Sequence, residues 1–346
     1  MIGERSRPAW LLVLALIAVT ACGAPPAPSR ALPRDVHETQ AARPTVRITA
    51  AMMGEPKILT TQFSPTGIGG SIPGVDSLEE LLHAGMSVLD GQGRLKPQLA
   101  ESVPTLENGL WKVAADGRME TTWKIRPGAS WHDGTPFTSD DLVFTATVVR
   151  DRELAMLGNP LYSAIERVEN PDPRTLTIVW PRPSVNADMM FTRLRAMPYP
   201  KHLLERTYLD NKAAFTDVPY WGDDYVGAGP FKLKEFVRGS HLVLEANESY
   251  VLGRPAIDQI EVKFVPDANA LMTVVLAGAA ELTLGARFSL EQAVQVQERW
   301  TDGTVIDSPA GWLSLYPQFV NPSPADWRPA LSAGPAPRDR PRGARG

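Results

Sequence analysis

The residues of this chain that could do chemistry are its few histidines and its one cysteine. The sequence contains five histidines and a single cysteine, Cys22. His132 precedes Asp133, a pair that could form a base oriented by a carboxylate, but no nucleophile motif accompanies it. The histidines show no metal-ligand spacing, and one cysteine cannot form a thiolate cluster. We therefore predict no catalytic residue, no cofactor and no metal site, and we expect His132 and Asp133 to bond to the local backbone of a turn.

Two glycine-rich stretches could suggest nucleotide binding, and neither has the complete motif. Residues 67–74, GIGGSIPG, lack the Gly-Lys-Ser/Thr of a phosphate-binding loop, so we predict a plain surface loop. Gly227 and Gly229 are followed by neither a third glycine nor a predicted helix. The hydrolase motif Gly-x-Ser-x-Gly and the zinc motif His-Glu-x-x-His are absent from the sequence. A net charge of −4 gives no indication of nucleic acid as a partner.

The elements that would position these residues are clearest in residues 116–145. Residues 119–125 alternate between apolar and polar side chains, which predicts a half-buried strand. An Arg-Pro-Gly turn and the Trp-His-Asp-Gly stretch at 131–134 follow. Thr138 and Asp141 then form a capping box, with a hydroxyl at the N-cap and a carboxylate three residues on that can reach back. We therefore predict that a helix begins at this point.

Similar patterns predict the other elements of the folded body. Strands are predicted over residues 45–51, 165–168, 175–180, 227–236, 241–245, 257–265 and 281–284. Ser77 is the predicted cap of one helix, and Asp267 is the predicted cap of a second helix over residues 268–276 that ends at Gly278. The order strand, helix, strand over residues 257–284 predicts a βαβ unit with parallel strands.

The N-terminus has the pattern of a secretion signal. Arg5 and Arg7 precede an apolar run over residues 9–19, which is too short for a permanent membrane span. The run ends in Val-Thr-Ala-Cys, which resembles a bacterial lipobox with Cys22 acylated; an ordinary cleaved signal is the alternative. We predict a signal peptide over residues 1–21, a disordered tether over residues 22–44, and a protein lipid-anchored to the periplasmic or cell-surface side of the cytoplasmic membrane.

Three segments, residues 116–145, 226–236 and 254–284, resemble one family in sequence and in order. They are similar to the family 5 extracellular solute-binding proteins, the receptors through which ABC importers capture peptides, dipeptides or nickel. The resemblance runs from about residue 45 to about residue 321. It implies a two-lobed α/β fold of the periplasmic-binding-protein type, with an extra N-terminal subdomain, and a ligand held between lobes that close by hinge motion.

The resemblance also implies how the chain is divided. Residues 45–265 would form the first lobe, with the small subdomain inserted at about residues 76–195, and residues 266–321 would begin a second lobe that is incomplete. Residues 322–346 are rich in Pro, Ala, Gly and Arg and are expected to be disordered. The break in composition suggests a frameshift, and a short protein with a disordered tail is the alternative. An incomplete lobe should leave the apolar side chains of its first helix exposed, namely Leu271, Val274, Val275 and Leu276.

The function implied by the resemblance is that of a substrate-binding protein of an ABC importer and not of an enzyme. It would act as a monomer, capture short peptides or a related small solute, and deliver them to a membrane permease. The residues expected near the ligand are Met53, Gly54, Glu55, Trp221, Arg287 and Trp312. A secreted hydrolase, a surface lipoprotein with a structural role and a non-functional truncated fragment of such a receptor are the alternatives.

Overall fold

The architecture is that of a computed structural model, in which residues 44–62, 72–286, 288–300 and 303–306 are described. The chain divides into two compact units, Met1–Pro44 and Thr45–Gly346, and the fold described below belongs to the second. The predicted signal peptide, most of the tether and the tail lie outside the described residues. Cys22, Arg287 and Trp312 lie outside them as well.

Within the described residues the chain forms eleven strands, six α-helices and several short 3-10 helices. The strands are β1 (Arg47–Met53), β2 (Ser87–Leu89), β3 (Leu95–Pro97), β4 (Trp111–Val113), β5 (Met119–Lys124), β6 (Arg167–Asp172), β7 (Thr175–Trp180), β8 (Phe231–Val237), β9 (His241–Ala246), β10 (Gln259–Val265) and β11 (Leu282–Leu284). The helices are α1 (Val75–Leu82), α2 (Ser139–Arg150), α3 (Pro160–Ser163), α4 (Lys201–Asp210), α5 (Ala268–Leu276) and α6 (Leu290–Arg299). The 3-10 helices are Arg152–Leu157, Ala187–Met189, Lys212–Ala214 and Pro219–Trp221.

A five-stranded mixed sheet with the order β11-β1-β10-β9-β8 forms the centre of the fold. β1 pairs in parallel with β10 on one side and with β11 on the other, and β9 and β8 continue the sheet as an antiparallel hairpin. The predicted βαβ unit is therefore confirmed, with β1 lying between its two parallel strands. Because β11 pairs with β1, the lobe boundary predicted near residue 266 falls inside one sheet.

Both faces of this sheet are covered by helices. On one face α1 buries Leu78 and Leu82 in a core with residues of β1, β9 and β10. On the other face α5 buries Leu271 and Val275, which are 0% and 2% exposed. The prediction of exposed side chains is wrong for Leu271 and Val275, because α5 packs directly on β1 and β10, while Val274 and Leu276 are half-buried.

A second core forms around the antiparallel sheet β4-β5-β7-β6 and helix α2. Its buried side chains run from Ala84 to Ala228 and include the large aromatic residues Trp123, Trp131 and Trp180. The alternating strand predicted over residues 119–125 is β5, whose buried and exposed residues follow the pattern of its sequence. The strands predicted over residues 165–168 and 175–180 are also present and form a hairpin, in which β6 begins at Arg167 and extends to Asp172, so only two residues separate the strands.

The helix boundaries show where local sequence signals decide the structure. The predicted capping box of α2, Thr138 with Asp141, is present, and Asp267 caps α5 by accepting hydrogen bonds from two backbone N–H groups. The prediction for α1 is wrong, because this helix begins at Val75 after Gly74, so Ser77 lies inside it. None of the described helices has the length and apolar character needed to cross a membrane.

Candidate functional site

The candidate ligand-binding edge is the side of the five-stranded sheet where the parallel strands β1, β10 and β11 end. These strands finish side by side, and the N–H of Gly54 donates to the carbonyl of Val265 at 2.8 Å. Ligands of open α/β sheets bind outside the carboxyl ends of the strands. Met53 ends β1 and Gly54 and Glu55 follow it directly, so the structure places these three predicted residues together at this edge.

Two glycines let separate segments of the chain meet at this edge. Gly74 and Gly285 both have positive φ, +96° and +61°, and their backbones touch: a Cβ on Gly285 would lie 2.1 Å from the nitrogen of Gly74. Ile72, just before this junction, approaches within 3.5 Å of where a Cβ on Gly54 would lie. The prediction of a plain surface loop over residues 67–74 does not include this junction, and residues 67–71 lie outside the described residues. The only local signal for the junction is a glycine shortly before a predicted helix.

Glu55 is bonded to the turn between β8 and β9. One carboxylate oxygen accepts the backbone N–H of Gly239 at 2.7 Å, and the other pairs with the guanidinium of Arg238 at 3.3 Å. Arg238 also reaches Asp223 at 2.8 Å and lies over the ring of Phe236, 3.9 Å from its centroid. No local pattern in the sequence indicates Arg238, because its contact with Glu55 spans 183 residues of chain.

Trp221 lies in the interior of the second core. Its indole N–H donates to the carbonyl of Phe215 at 2.7 Å, and its ring packs edge-on against Tyr199 and Tyr220. Its own carbonyl accepts the N–H of Leu59 at 2.7 Å, which ties this core to the chain that follows the ligand-binding edge. Trp221 is only 2% exposed, so its ring lies inside the second core and not on a surface.

Two buried histidines hold the segment that leads from the second core into β8. His132 accepts the N–H of Gly227 on Nδ1 at 3.1 Å and donates from Nε2 to the carbonyl of Gly229 at 3.1 Å. His83 does the same, accepting from Ala228 at 3.2 Å and donating to Pro198 at 2.7 Å. These partners fix both imidazoles as neutral Nε2–H tautomers.

The predictions for His132 and Asp133 therefore have different outcomes. The prediction that His132 bonds to local backbone is wrong, since its partners lie 95 and 97 residues away. Asp133 does bond locally, accepting the N–H of Thr135 at 2.9 Å, and its other oxygen contacts His202 at 2.8 Å. The Trp-His-Asp-Gly stretch thus connects β8 to the second core.

Burial changes the titration of the groups around this connection. Desolvation lowers the pKa of His83 to about 4 and that of His132 to about 3, while the carbonyls that accept their N–H groups act in the opposite direction. Glu79, on α1, accepts three hydrogen bonds from Thr60 and Thr61, yet its complete burial raises its pKa. Among the described residues no group of three or more His, Cys, Asp or Glu side chains is arranged to hold a metal ion.

Comparison with known proteins gives this architecture a family. The sequence profile of the bacterial extracellular solute-binding proteins, family 5 middle region, matches residues 94–321. The chain belongs to family 5 of the bacterial extracellular solute-binding proteins. It is 28% identical over 232 residues to the oligopeptide-binding protein AppA of Bacillus subtilis, and 26% identical over 249 residues to the di/tripeptide-binding protein 4 of Pseudomonas aeruginosa. These matches cover 67% and 66% of this chain.

Solved structures of family members have the same fold. An oligopeptide-binding protein from Thermus thermophilus with a bound pentapeptide matches 73% of this chain with a TM-score of 0.62 and 23% identity. AppA of Bacillus subtilis with a bound nonapeptide matches 74% of it with a TM-score of 0.58 and 24% identity. The α/β fold predicted from the sequence is thereby confirmed. The chain spans less than half of these relatives: 39% of AppA and 44% of the Pseudomonas protein in sequence, and 47% of each solved chain.

Proposed function

We propose that this chain is the substrate-binding protein of an ABC importer and that its ligands are short peptides. The observation that carries the proposal is the family match over residues 94–321, combined with relatives named for binding oligopeptides and di/tripeptides. A carrier of this kind binds its ligand without changing it, and neither Gly-x-Ser-x-Gly nor His-Glu-x-x-His occurs in the sequence.

The ligand is proposed to lie against the ligand-binding edge, with Met53, Gly54 and Glu55 beside it. Backbone groups would pair with the main chain of the peptide, a form of strand addition that tolerates different side chains. Arg287 and Trp312 remain proposed ligand contacts. Trp221 is proposed to contribute indirectly, because its carbonyl accepts the N–H of Leu59 in the chain that follows β1.

Delivery to the importer requires the protein to stay near its permease, and we propose that acylated Cys22 anchors it on the outer side of the cytoplasmic membrane. Several acyl chains hold a protein on a membrane far more stably than one chain does. Full-length protein expressed in bacteria should incorporate radioactive palmitate, and a Cys22→Ala variant should not. Equal labelling of both proteins, or labelling of neither, would contradict the anchor without affecting the peptide proposal.

Thermal unfolding of the full-length protein with di- to pentapeptides tests the proposed ligand class. A ligand at about 100 times its Kd stabilises the folded state by about 2.7 kcal/mol, which raises the unfolding temperature measurably. Matched mixtures of the free amino acids provide the control, and mass spectrometry should recover the peptides intact. No stabilisation by any peptide would contradict the proposal, and cleavage of the peptides would favour the secreted-hydrolase alternative.

A further inference from the structure

The carboxylate of Glu55 lies at the proposed ligand-binding edge, and both of its oxygens already have protein partners. Oε2 accepts the N–H of Gly239 at 2.7 Å, and Oε1 pairs with Nη1 of Arg238 at 3.3 Å. An acidic residue at this place would suggest an anchor for the amino group of a peptide. Here the positive charge beside Glu55 comes from Arg238 of the protein itself, so no amino group of a ligand is needed to supply it.

Arg238 is itself held from several directions. Its Nη1 donates to the carbonyl of Pro56 at 3.2 Å and its Nη2 to Asp223 at 2.8 Å, while its planar group lies over the ring of Phe236 at 3.9 Å. Gly222 leaves room for this arrangement, because a Cβ there would lie 3.2 Å from Nη2. A guanidinium suits these demands, since it offers several donors in one plane together with a face that stacks on an aromatic ring.

The contacts of Arg238 connect three segments that meet at the edge. They join the chain directly after β1, the turn between β8 and β9, and the loop after the 3-10 helix Pro219–Trp221. The N–H of Phe264 donates to the carbonyl of Ser240 at 2.9 Å, so the same turn is also fixed to the end of β10. Arg238 therefore fixes the path of the backbone at Glu55 and Pro56, where the chain leaves the sheet.

We propose that Arg238 is a positioning residue of the ligand-binding edge. It holds Glu55 and the carbonyl of Pro56 so that the backbone of Glu55 is presented in one conformation to the main chain of the ligand. Glu55 therefore serves the binding site through Arg238 and does not recognise the amino group of the peptide. This inference rests on the proposed function. It adds that the affinity of this edge for a peptide does not depend on the charge of the peptide N-terminus.

A cycle of two changes, one in the protein and one in the ligand, tests the inference. A peptide found to bind is measured by calorimetry with its amino group free and N-acetylated, against the full-length protein and its Glu55→Gln variant. Glutamine keeps an oxygen for the N–H of Gly239 but has no charge. We expect Glu55→Gln to weaken both peptides by the same factor, to within about twofold. If acetylation weakens binding to the unchanged protein but not to the variant, Glu55 is the amino-group anchor and the inference is overturned.

Variants of Arg238 separate positioning from general stability. We expect Arg238→Ala to weaken peptide binding by about tenfold, because the chain directly after β1 loses the charged contacts that fix it. Arg238→Lys should restore part of the affinity, because it keeps the charge. Arg118→Ala is the matched control, since Arg118 forms an exposed ion pair with Asp116 at 3.0 Å in the turn before β5. Arg238→Ala should lower the unfolding midpoint more than Arg118→Ala, because the contacts of Arg238 join three segments, so binding is measured well below both midpoints, where both variants are fully folded. If Arg238→Ala loses affinity only under conditions where it is partly unfolded, the positioning role is overturned. If the unchanged protein binds no peptide at all, the proposed function is overturned as well.

Discussion

Acidification should destabilise this protein through its two buried histidines. His83 and His132 accept backbone N–H groups on Nδ1, so a proton added there would face another N–H and break the contact with the segment that enters β8. Their pKa values in the folded protein, about 4 and about 3, lie below the ordinary value of 6.5 because burial disfavours the charged form. The proton is therefore bound more tightly by the unfolded chain, and stability is complete above pH 6.5 and lost as the pH falls below it.

The magnitude follows from the distance between these pKa values and the pH. At about pH 5 each unfolded imidazole is protonated, roughly 1.5 pH units below its pKa, while each folded imidazole stays neutral. Each unit corresponds to about 1.36 kcal/mol, so each histidine removes about 2 kcal/mol between about pH 7.5 and pH 5. The raised pKa of Glu79 stabilises the folded protein as the pH falls, which opposes the effect of the histidines. Variants are therefore needed to isolate the effect of the histidines.

Urea unfolding of the full-length protein at both pH values, followed by tryptophan fluorescence, measures this loss. His83→Gln and His132→Gln each keep one N–H donor and one oxygen acceptor but cannot take up the proton. On acidification from about pH 7.5 to pH 5, the free energy of unfolding of each single variant should fall by about 2 kcal/mol less than that of the unchanged protein. For the double variant the difference should be about 4 kcal/mol. If the double variant lost as much stability on acidification as the unchanged protein, protonation of His83 and His132 would not be the cause of the loss.

Three further substitutions test packing and capping through unfolding free energies. Asp141→Ala should cost about 2–3 kcal/mol, because its carboxylate accepts three N–H groups at the start of α2, whereas the exposed neighbour Asp140→Ala should cost less than about 0.5 kcal/mol. Gly285→Ala should destabilise by more than about 2 kcal/mol, because its new Cβ would meet the backbone of Gly74; an unchanged midpoint would contradict this junction. Leu271→Ala should cost about 2–4 kcal/mol by opening a cavity under α5, and a cost below about 1 kcal/mol would mean that this helix is not packed on the sheet.

Local patterns in the sequence predicted much of the fold, because short-range physics controls those elements. The capping box at Thr138 and the cap at Asp267 involve residues within three positions of each other, and both are confirmed. The alternation of β5 reflects a strand with one buried face. The parallel direction of β10 and β11 follows from the order strand, helix, strand, but their pairing with β1 between them does not.

The candidate site was predicted only in part, because its contacts join distant parts of the chain. The position of Met53, Gly54 and Glu55 at a strand end was accessible from the sequence, since it depends on where β1 stops. The contact of Glu55 with Arg238 was not, because no local pattern links residues 183 positions apart. The contact of His132 with Gly227 was hidden for the same reason, and the sequence alone suggested an ordinary turn.

Isothermal titration calorimetry of the full-length protein with short peptides is the most direct test of the central claim. If this chain is a peptide receptor, at least one di- to pentapeptide should give a saturable heat with a stoichiometry of about one, as expected for one site per receptor. The matching free amino acids should give no comparable heat. Flat titrations across the whole peptide set, recorded with a protein shown to be folded, would contradict the account.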